Sequence, residues 1–273
     1  MTLWYLATTE TFRQIADRFD LARSSSHKLL DKTLDFLISL ARNYIKWPSD
    51  EEKLTISQGF SINQNIHGII GAIDGSHIRI RKPEENEQDY VNRKGYHSVI
   101  IQAVVNYNKI FTDVYIGEAG SVHDARVLRK SSLYEKAIED PKFFGGYFLL
   151  GDSAYKNLSW LVCPFKDNGH LTANQKLFNF RHSSTRIQIE HAFGLLKTQF
   201  RRLLSFNNLR IDIIVRCIMA ACVLHNICMT MINNDSDDDL DIDLDCENDN
   251  EEYNYDNIVV EDRRAHIFNQ MFA

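Results

Sequence analysis

Two aspartates in this sequence stand where a rigid backbone can aim a carboxylate. Asp74 lies in the apolar run AIDGSHIRI beside Gly75, and Asp152 follows the apolar run YFLLG beside Gly151. Each reads as a carboxylate at the end of a strand, next to a glycine that leaves the backbone open to close approach. Two such carboxylates in one sheet can converge. They then repel unless a cation sits between them, and the natural occupant is a hard divalent ion, magnesium or manganese. Singly, either aspartate is accounted for as a turn carboxylate. Glu190 offers a third. On a helix spanning RIQIEHAFGLLKTQFRRL, residues Arg186, Glu190, Gly194, Lys197 and Arg201 share a polar stripe, with Ile187, Phe193, Leu196 and Phe200 packed on the other side. The plainer reading of Glu190 is a surface pair with Arg186 or Lys197, worth ~0.2–0.5 kcal/mol. The functional reading is a ligand set among cations suited to a phosphodiester backbone. Three carboxylates flanked by cations match two-metal phosphoryl transfer, in which two ions ~3.5–4 Å apart activate the nucleophile and steady the leaving oxygen.

The elements that must position these groups follow from periodicity. From Gly71 onward AIDGSHIRI, HSVIIQAVV, IFTDVYIG and GYFLLGD read as four strands, with a helix between the third and fourth and helices from there to about Ile232. This order predicts an α/β fold with a mixed sheet and flanking helices. Before it, Phe12, Ile15, Ala16 and Phe19 fall at helical spacing, and Ser24 can cap a second helix carrying Leu29, Leu30, Leu34 and Leu37. Two helices across a tight turn read either as a helix-turn-helix, with Arg23, Ser25, Ser26, His27 and Lys28 facing DNA, or as a helical hairpin that completes the core. The turn lacks glycine, and eight basic against eight acidic residues up to Leu54 give no charge excess.

Composition narrows the class. The 273 residues are 44% hydrophobic and 25% charged, enough apolar material for a large core, which excludes disorder as the main state. The N-terminus lacks the pattern of a cleaved secretory signal. The segment Ile211–Ile232, interrupted by Asp212, Arg216, His225 and Asn226, reads as a buried core helix rather than a bilayer span, so no membrane association is expected. Five cysteines without a C-x-x-C pair indicate neither a disulfide framework nor structural zinc and fit a reducing compartment. Of the 37 acidic residues, 14 lie in 233–262, which has no basic residue, so the remainder carries 31 basic against 23 acidic side chains. The folded part is basic and admits a polyanionic partner. The acidic stretch is expected to be disordered, and the calcium-loop spacing of Asp241, Asp243, Asp245 and Glu252 within it is a coincidence, since Cys246 stands where that loop needs glycine. The expected organisation is a helix-turn-helix-like segment (1–60), a catalytic domain (61–232), the acidic segment (233–262) and a short helix or tail (263–273).

The blocks GAIDGSHIRI, YVNRKGYHSVIIQAVV, GSVHDARVLRKSSLY, GDSAYKNLSWLVCPF, RIQIEHAFGLLKTQFRRL and CVLHNI, in this order and spacing, resemble PIF/Harbinger-type DDE transposases and the nucleases derived from Harbinger transposases. The match covers about Gly71 to Cys228. It implies an RNase H-like nuclease fold whose DDE triad, Asp74, Asp152 and Glu190, binds divalent metal. It further implies a role for Asp124 of GSVHD as an auxiliary ligand, with a helix cap as the plainer reading. A DNA substrate, a Myb-like partner protein that supplies DNA recognition and nuclear entry, and a nuclear location, also cytoplasmic, follow from the same resemblance, as does self-association. Arg93 and Lys94, in a basic turn with Asn92, join Arg186, Lys197, Arg201 and Arg202 as expected phosphate contacts. His77, His97 and His123 near these blocks read as satisfied polar residues. Asn106 stands where many relatives carry aspartate, and the first helix of a three-helix DNA-binding unit is expected to be missing. Carboxylates in such a family are necessary but not sufficient for cleavage, so a catalytically silent binding module of the same fold is the alternative. A haloacid-dehalogenase-type phosphatase is set aside because Ser76 stands two residues after Asp74, where a second aspartate is needed. A serine hydrolase fails because G-D-S-A-Y is not a nucleophile elbow.

Overall fold

The computed structural model describes residues 1–64, 66–207, 210–237 and 262–272. Five helices come first: α1 (Thr2–Ala7), α2 (Phe12–Arg18), α3 (Arg23–Ser39), α4 (Ala41–Tyr44) and α5 (Asp50–Gln64). Strand β1 (Ile69–Ile80), a short helix α6 (Glu87–Tyr90), and strands β2 (Ser98–Val105) and β3 (Phe111–Ala119) follow. Helices α7 (Asp124–Lys130) and α8 (Ser132–Glu139) lead to β4 (Phe148–Leu150) and β5 (Leu161–Val162). The long helix α9 (Ala173–Gln199), a 3₁₀ turn over Arg201–Leu204, β6 (Ser205–Phe206), α10 (Ile211–Asp237) and α11 (Arg263–Phe272) complete the chain. The acidic stretch 238–261, with its calcium-like spacing, lies outside the described residues. Helix α10 runs five residues beyond the expected end at Ile232, into the stretch expected to be disordered.

The sheet order is β3-β2-β1-β4-β5, with β1–β2 and β2–β3 antiparallel, β1–β4 and β4–β5 parallel, and β6 parallel to the far end of β1. This is a mixed sheet with flanking helices, consistent with the RNase H-like fold. β2 is buried along its whole length because both faces are covered. Val99, Ile101, Ala103 and Val105 join a core under α9 and α10, while Val104 belongs to a second core with Leu128, Leu149 and Phe178. The four expected strands are present. β5 and β6 went unread because two residues carry no periodicity, and their ladder bonds come from neighbours distant in sequence.

Helix α10 meets the length and hydropathy of a bilayer span, yet it belongs to the core, where Cys217, Ile218 and Ala220 to Val223 are buried. Its polar residues have partners: Arg216 bonds Asp31 and Asp35 of α3, His225 contacts the Lys109 carbonyl, and Asn226 pairs with the backbone of Phe111 and Tyr44. The N-terminal helices share that core through Tyr5, Leu6, Ile15, Leu30 and Leu34, so a boundary at residue 60 does not separate two cores. Three helices are present here, α1 included. Asp20 takes the left-handed turn position (φ 51°) that glycine more often fills, and α3 starts after Ala22, which leaves Ser24 inside the helix without a cap role. Of the residues expected to face DNA, Ser26 is buried, while Arg23, Ser25, His27 and Lys28 are exposed, His27 with one ring face stacked on Phe12 at 4.1 Å.

Arg202 fastens this helical layer to the sheet. It is buried, donates to the backbone carbonyls of Tyr5 (3.2 Å) and Glu10, and lies over the Tyr5 ring at 4.3 Å. Arg202→Ala leaves two carbonyls without their donor and is expected to lower unfolding stability by roughly 2–4 kcal/mol in urea titrations. On β3, burial pushes Asp113 up to about 6, with Lys136 the one opposing influence. A carboxyl that holds its proton more tightly in the folded chain stabilises below its unfolded value and loses that contribution as pH rises through 6. Asp113→Asn is therefore expected to raise Tm at pH 7.5 by about 2 °C or more. In thermal melts across pH the difference should shrink to nothing by about pH 3.5.

Candidate active site

The register of the sheet sets Asp74 and Asp152 together. Ala72 pairs with Leu150 at the end of the ladder, and Asp74 and Asp152 each lie two residues beyond that pair, near enough for the charge of Asp152 to act on Asp74. Asp152 emerges just past the end of β4, as expected. Asp74 does not end a strand: it sits in the middle of β1, which continues six residues beyond it. The carboxylate nevertheless has room, because the ladder on this edge of β1 stops at Ala72–Leu150 and resumes at Arg79–Ser205. Backbone groups in that gap take side-chain partners instead. The Gly75 N–H donates to Asp74 Oδ1 at 2.8 Å, and Lys197 Nζ donates to the His77 carbonyl at 3.1 Å and to Ser76 Oγ at 2.7 Å.

Asp124 approaches the same place from the other face. It is the first residue of α7, after an N-cap at His123, so it is not itself the helix cap. A side chain at Gly75 would meet Asp124 Oδ1 at 2.5 Å, so the absence of a Cβ there lets the carboxylate lie against β1. Burial raises Asp74 to about 6, against the Arg186 charge and with a further push from Asp152. Burial and then the charge of Asp152 also raise Asp124, against Arg93 and His123. The charge of Asp152 thus acts on both Asp74 and Asp124 in a partly desolvated gap.

Glu190 is set differently. Arg186, one turn before it on α9, donates through Nη1 to Asp74 Oδ2 at 2.9 Å and through Nη2 to Glu190 Oε1 at 2.5 Å. The Arg186 side chain is only 14% exposed, while that of Glu190 is 52% exposed. One guanidinium therefore ties together two of the three carboxylates expected to form a triad, and the surface pair read from sequence is half of a bridge. The donor set is chemically right for a hard divalent ion, being all carboxylate oxygen and short of counter-charge. Yet among the described residues no group of three or more His, Cys, Asp or Glu is arranged to hold a metal ion. The ligands fit in kind, and Arg186 keeps Asp74 and Glu190 engaged.

The expected phosphate contacts divide. Arg93 and Lys94 are exposed on a turn shaped by buried Asn92, whose Oδ1 accepts from the Lys94 and Tyr96 N–H groups. Asn92 is thus a frame, not a contact. Arg93 reaches His123 at 2.5 Å, on the Asp124 side. Burial and the neighbouring Lys94 lower Lys197, which places two ammonium groups beside the gap. Arg201 is exposed on the 3₁₀ turn past the end of α9, and Ile187 is exposed rather than packed. Arg202 is turned into the protein and leaves the set. His77 bonds Ser98, His97 contacts Glu87 and His123 accepts from Arg93, so each is a satisfied polar residue. Asn106 closes the β2–β3 turn through the N–H groups of Asn108 and Ile110, which accounts for it without metal.

Some residues escaped the sequence reading. Gln102 is buried opposite Gly75, its Oε1 accepting from Tyr155 at 3.3 Å and its Nε2 left without a partner. The charges of Asp124, Asp74 and Asp152, together with burial, raise Tyr155. The signal for Gln102 was a lone amide in the apolar run VIIQAVV. Arg79, Arg81, Lys82, Tyr96, His97 and Asn207 line a solvent-open hollow at the far end of β1, with Arg79 over the Tyr96 ring at 5.4 Å. That hollow joins segments distant in sequence, so no local pattern announced it.

A model of the family described as "DDE superfamily endonuclease" matches residues 73–226. The chain is similar to "Putative nuclease HARBI1" of Bos taurus (29% identical over 226 residues, 78% of this chain and 61% of the relative) and of Rattus norvegicus (30% over 226 residues, with the same coverage). It is also similar to "Protein ALP1-like" of Arabidopsis thaliana (27% over 244 residues, 83% of this chain and 58% of the relative). The chain thus spans about three fifths of the length of these relatives. No solved structure matches it significantly. With the family model covering more than half of its residues, this chain belongs to the DDE superfamily endonuclease family.

Proposed function

We propose that this chain is a divalent-metal-dependent DNA endonuclease of Harbinger transposase type. The observation that carries this reading is that Asp74 and Glu190 share one arginine at the gap of the sheet edge, with Asp124 against Gly75 and the charge of Asp152 acting on both Asp74 and Asp124. Asp74, Asp152 and Glu190 would hold magnesium or manganese, two ions in the full complex, with Asp124 as auxiliary ligand. The metal, when bound, supplies an activated oxygen nucleophile and charge stabilisation for the leaving oxygen. The protein's own groups do the rest. Lys197, anchored on β1, and Lys94 and Arg93 on their turn present positive charge to the phosphodiester next to the carboxylates. Arg201 and the Arg79–Arg81–Lys82 hollow extend that charge along the DNA backbone. Such contacts position the strand without reading its sequence. Exposed Arg23 and Lys28 on α3 would add contacts, with a Myb-like partner supplying recognition and nuclear entry, and self-association pairing two cuts.

A second reading, a catalytically silent DNA- or protein-binding module, is favoured by one observation: Arg186 is already paired with two of the triad carboxylates. A nicking assay on supercoiled plasmid with manganese, magnesium or chelator decides between them, run with and without a Myb-like partner. The endonuclease reading expects metal-dependent nicking that falls at least about 100-fold in each of Asp74→Ala, Asp152→Ala and Glu190→Ala, the loss of several kcal/mol of transition-state stabilisation. Equal inactivity of wild type and variants would establish the binding module.

Two glycines give a paired prediction. Gly75→Ala forces the Asp124 carboxylate away from β1, and because the clash is with the end of a side chain it should cost little stability. Gly194→Ala on α9 meets nothing within 4 Å and should add about 0.5–1 kcal/mol of stability. Nicking is expected to fall several-fold in Gly75→Ala and to hold at the wild-type level in Gly194→Ala, with urea titrations of both checking the stabilities.

A further inference from the structure

We propose that Arg186 is a built-in counter-cation that competes with divalent metal for Asp74 and Glu190, so that ion binding and release of the arginine are one event. The inference rests on the endonuclease reading and deepens it. Its basis is geometric. One guanidinium spans both carboxylates, at 2.9 Å to Asp74 and 2.5 Å to Glu190, from a side chain that is 14% exposed. Asp74 sits in a gap where its other contact is the Gly75 N–H, and Asp152 repels it. Carboxylates held this way need positive charge whether or not metal is present. In the metal-free chain Arg186 provides it. Its planar fork engages each partner through a separate N–H group, in a fixed geometry that a lysine ammonium does not reproduce. A divalent ion that takes Asp74 Oδ2 and Glu190 Oε1 on the side facing the fork displaces the two N–H groups bonded there.

The consequence is a reduced apparent metal affinity. If the carboxylates are free of Arg186 in only about a tenth of molecules, metal binds about tenfold more weakly than to the same ligands without it. It also gives the released guanidinium a position beside the ions, where a phosphodiester would offer it new acceptors. A metal-free chain is thereby kept from leaving a bare acidic gap, and the cation that guards the gap is already placed to meet the substrate. Arg186 on this account is a positioning residue that acts through its two carboxylate partners.

Manganese affinity, measured by titration calorimetry at pH 8 on the full chain without DNA, tests this. Arg186→Gln is expected to bind manganese about tenfold more tightly than wild type. Arg186→Lys, which keeps the charge but loses the planar fork, should fall between. The apo Tm of Arg186→Gln should be lower than wild type, and manganese should raise it by more. A loss of packing alone would not tighten an ion. Equal affinity in wild type and both variants would overturn the proposal while leaving the metal site, and the endonuclease reading, standing. Weaker binding in the variants would also overturn it, by showing that Arg186 holds the ligands in place for the ion. No manganese binding in any of the three would sink both this proposal and the endonuclease reading. Arg186→Lys keeps the test decisive if Arg186→Gln does not fold.

Discussion

Acidic side chains brought into one partly desolvated gap impose a constraint that the rest of this structure answers. Burial raises the affinity of Asp74 and of Asp124 for protons, and the charge of Asp152 adds to the effect on each. Such a group is stable only if positive charge or donors are close at hand. Arg186 and Lys197 on α9, Arg93 on the turn before β2, and the backbone N–H of Gly75 supply them. The gap exists because β4 stops where β1 goes on, and because β6 joins β1 only at its far end. A continuous ladder there would have paired the backbone and left no edge for carboxylates and their cations to share.

Holding α9 in place is therefore the main structural task. It packs Ile189, Ala192, Phe193 and Leu196 into the core beneath β1 and β2, and its N-terminus begins with a capping box at Thr172 and Gln175. Helix α11 rests against α9 and β5, with Ile267 buried and Arg264 over Phe165. The N-terminal helices buttress the opposite end through Arg202 and the Tyr5–Leu34 cluster. In consequence the segment that reads as a DNA-binding unit also completes the core, and the two readings of it are compatible. Only its exposed side, with Arg23 and Lys28, is available for a ligand.

The chain spans about three fifths of the length of its curated relatives. What its sheet edge offers is a set of acidic side chains and a basic rim. The rim runs from Lys197, which bonds β1 at Ser76 and His77, and from Lys94 to the Arg79 hollow, two to three residues further along β1, roughly 7–10 Å at strand rise. A backbone polyanion has the spacing of charge to follow such a track.

By itself the sequence determined the long strands, the long helices, the core helix α10 and the residues of the acidic set, because these are carried by hydrophobic period, by length and by ordered motif blocks that act locally. Only the tertiary structure decided the rest. Asp74 became a mid-strand residue beside a gap because β4 is three residues long, a fact of pairing and not of local propensity. Arg202, one residue from exposed Arg201 and alike in sequence, turned inward because the carbonyls of Tyr5 and Glu10, more than 190 positions away, were there to receive it. Arg186 reached Asp74 across 112 positions for the same reason. Which charge meets which is settled by where the chain brings donors and acceptors out of water together, and no pattern of residue spacing carries that information.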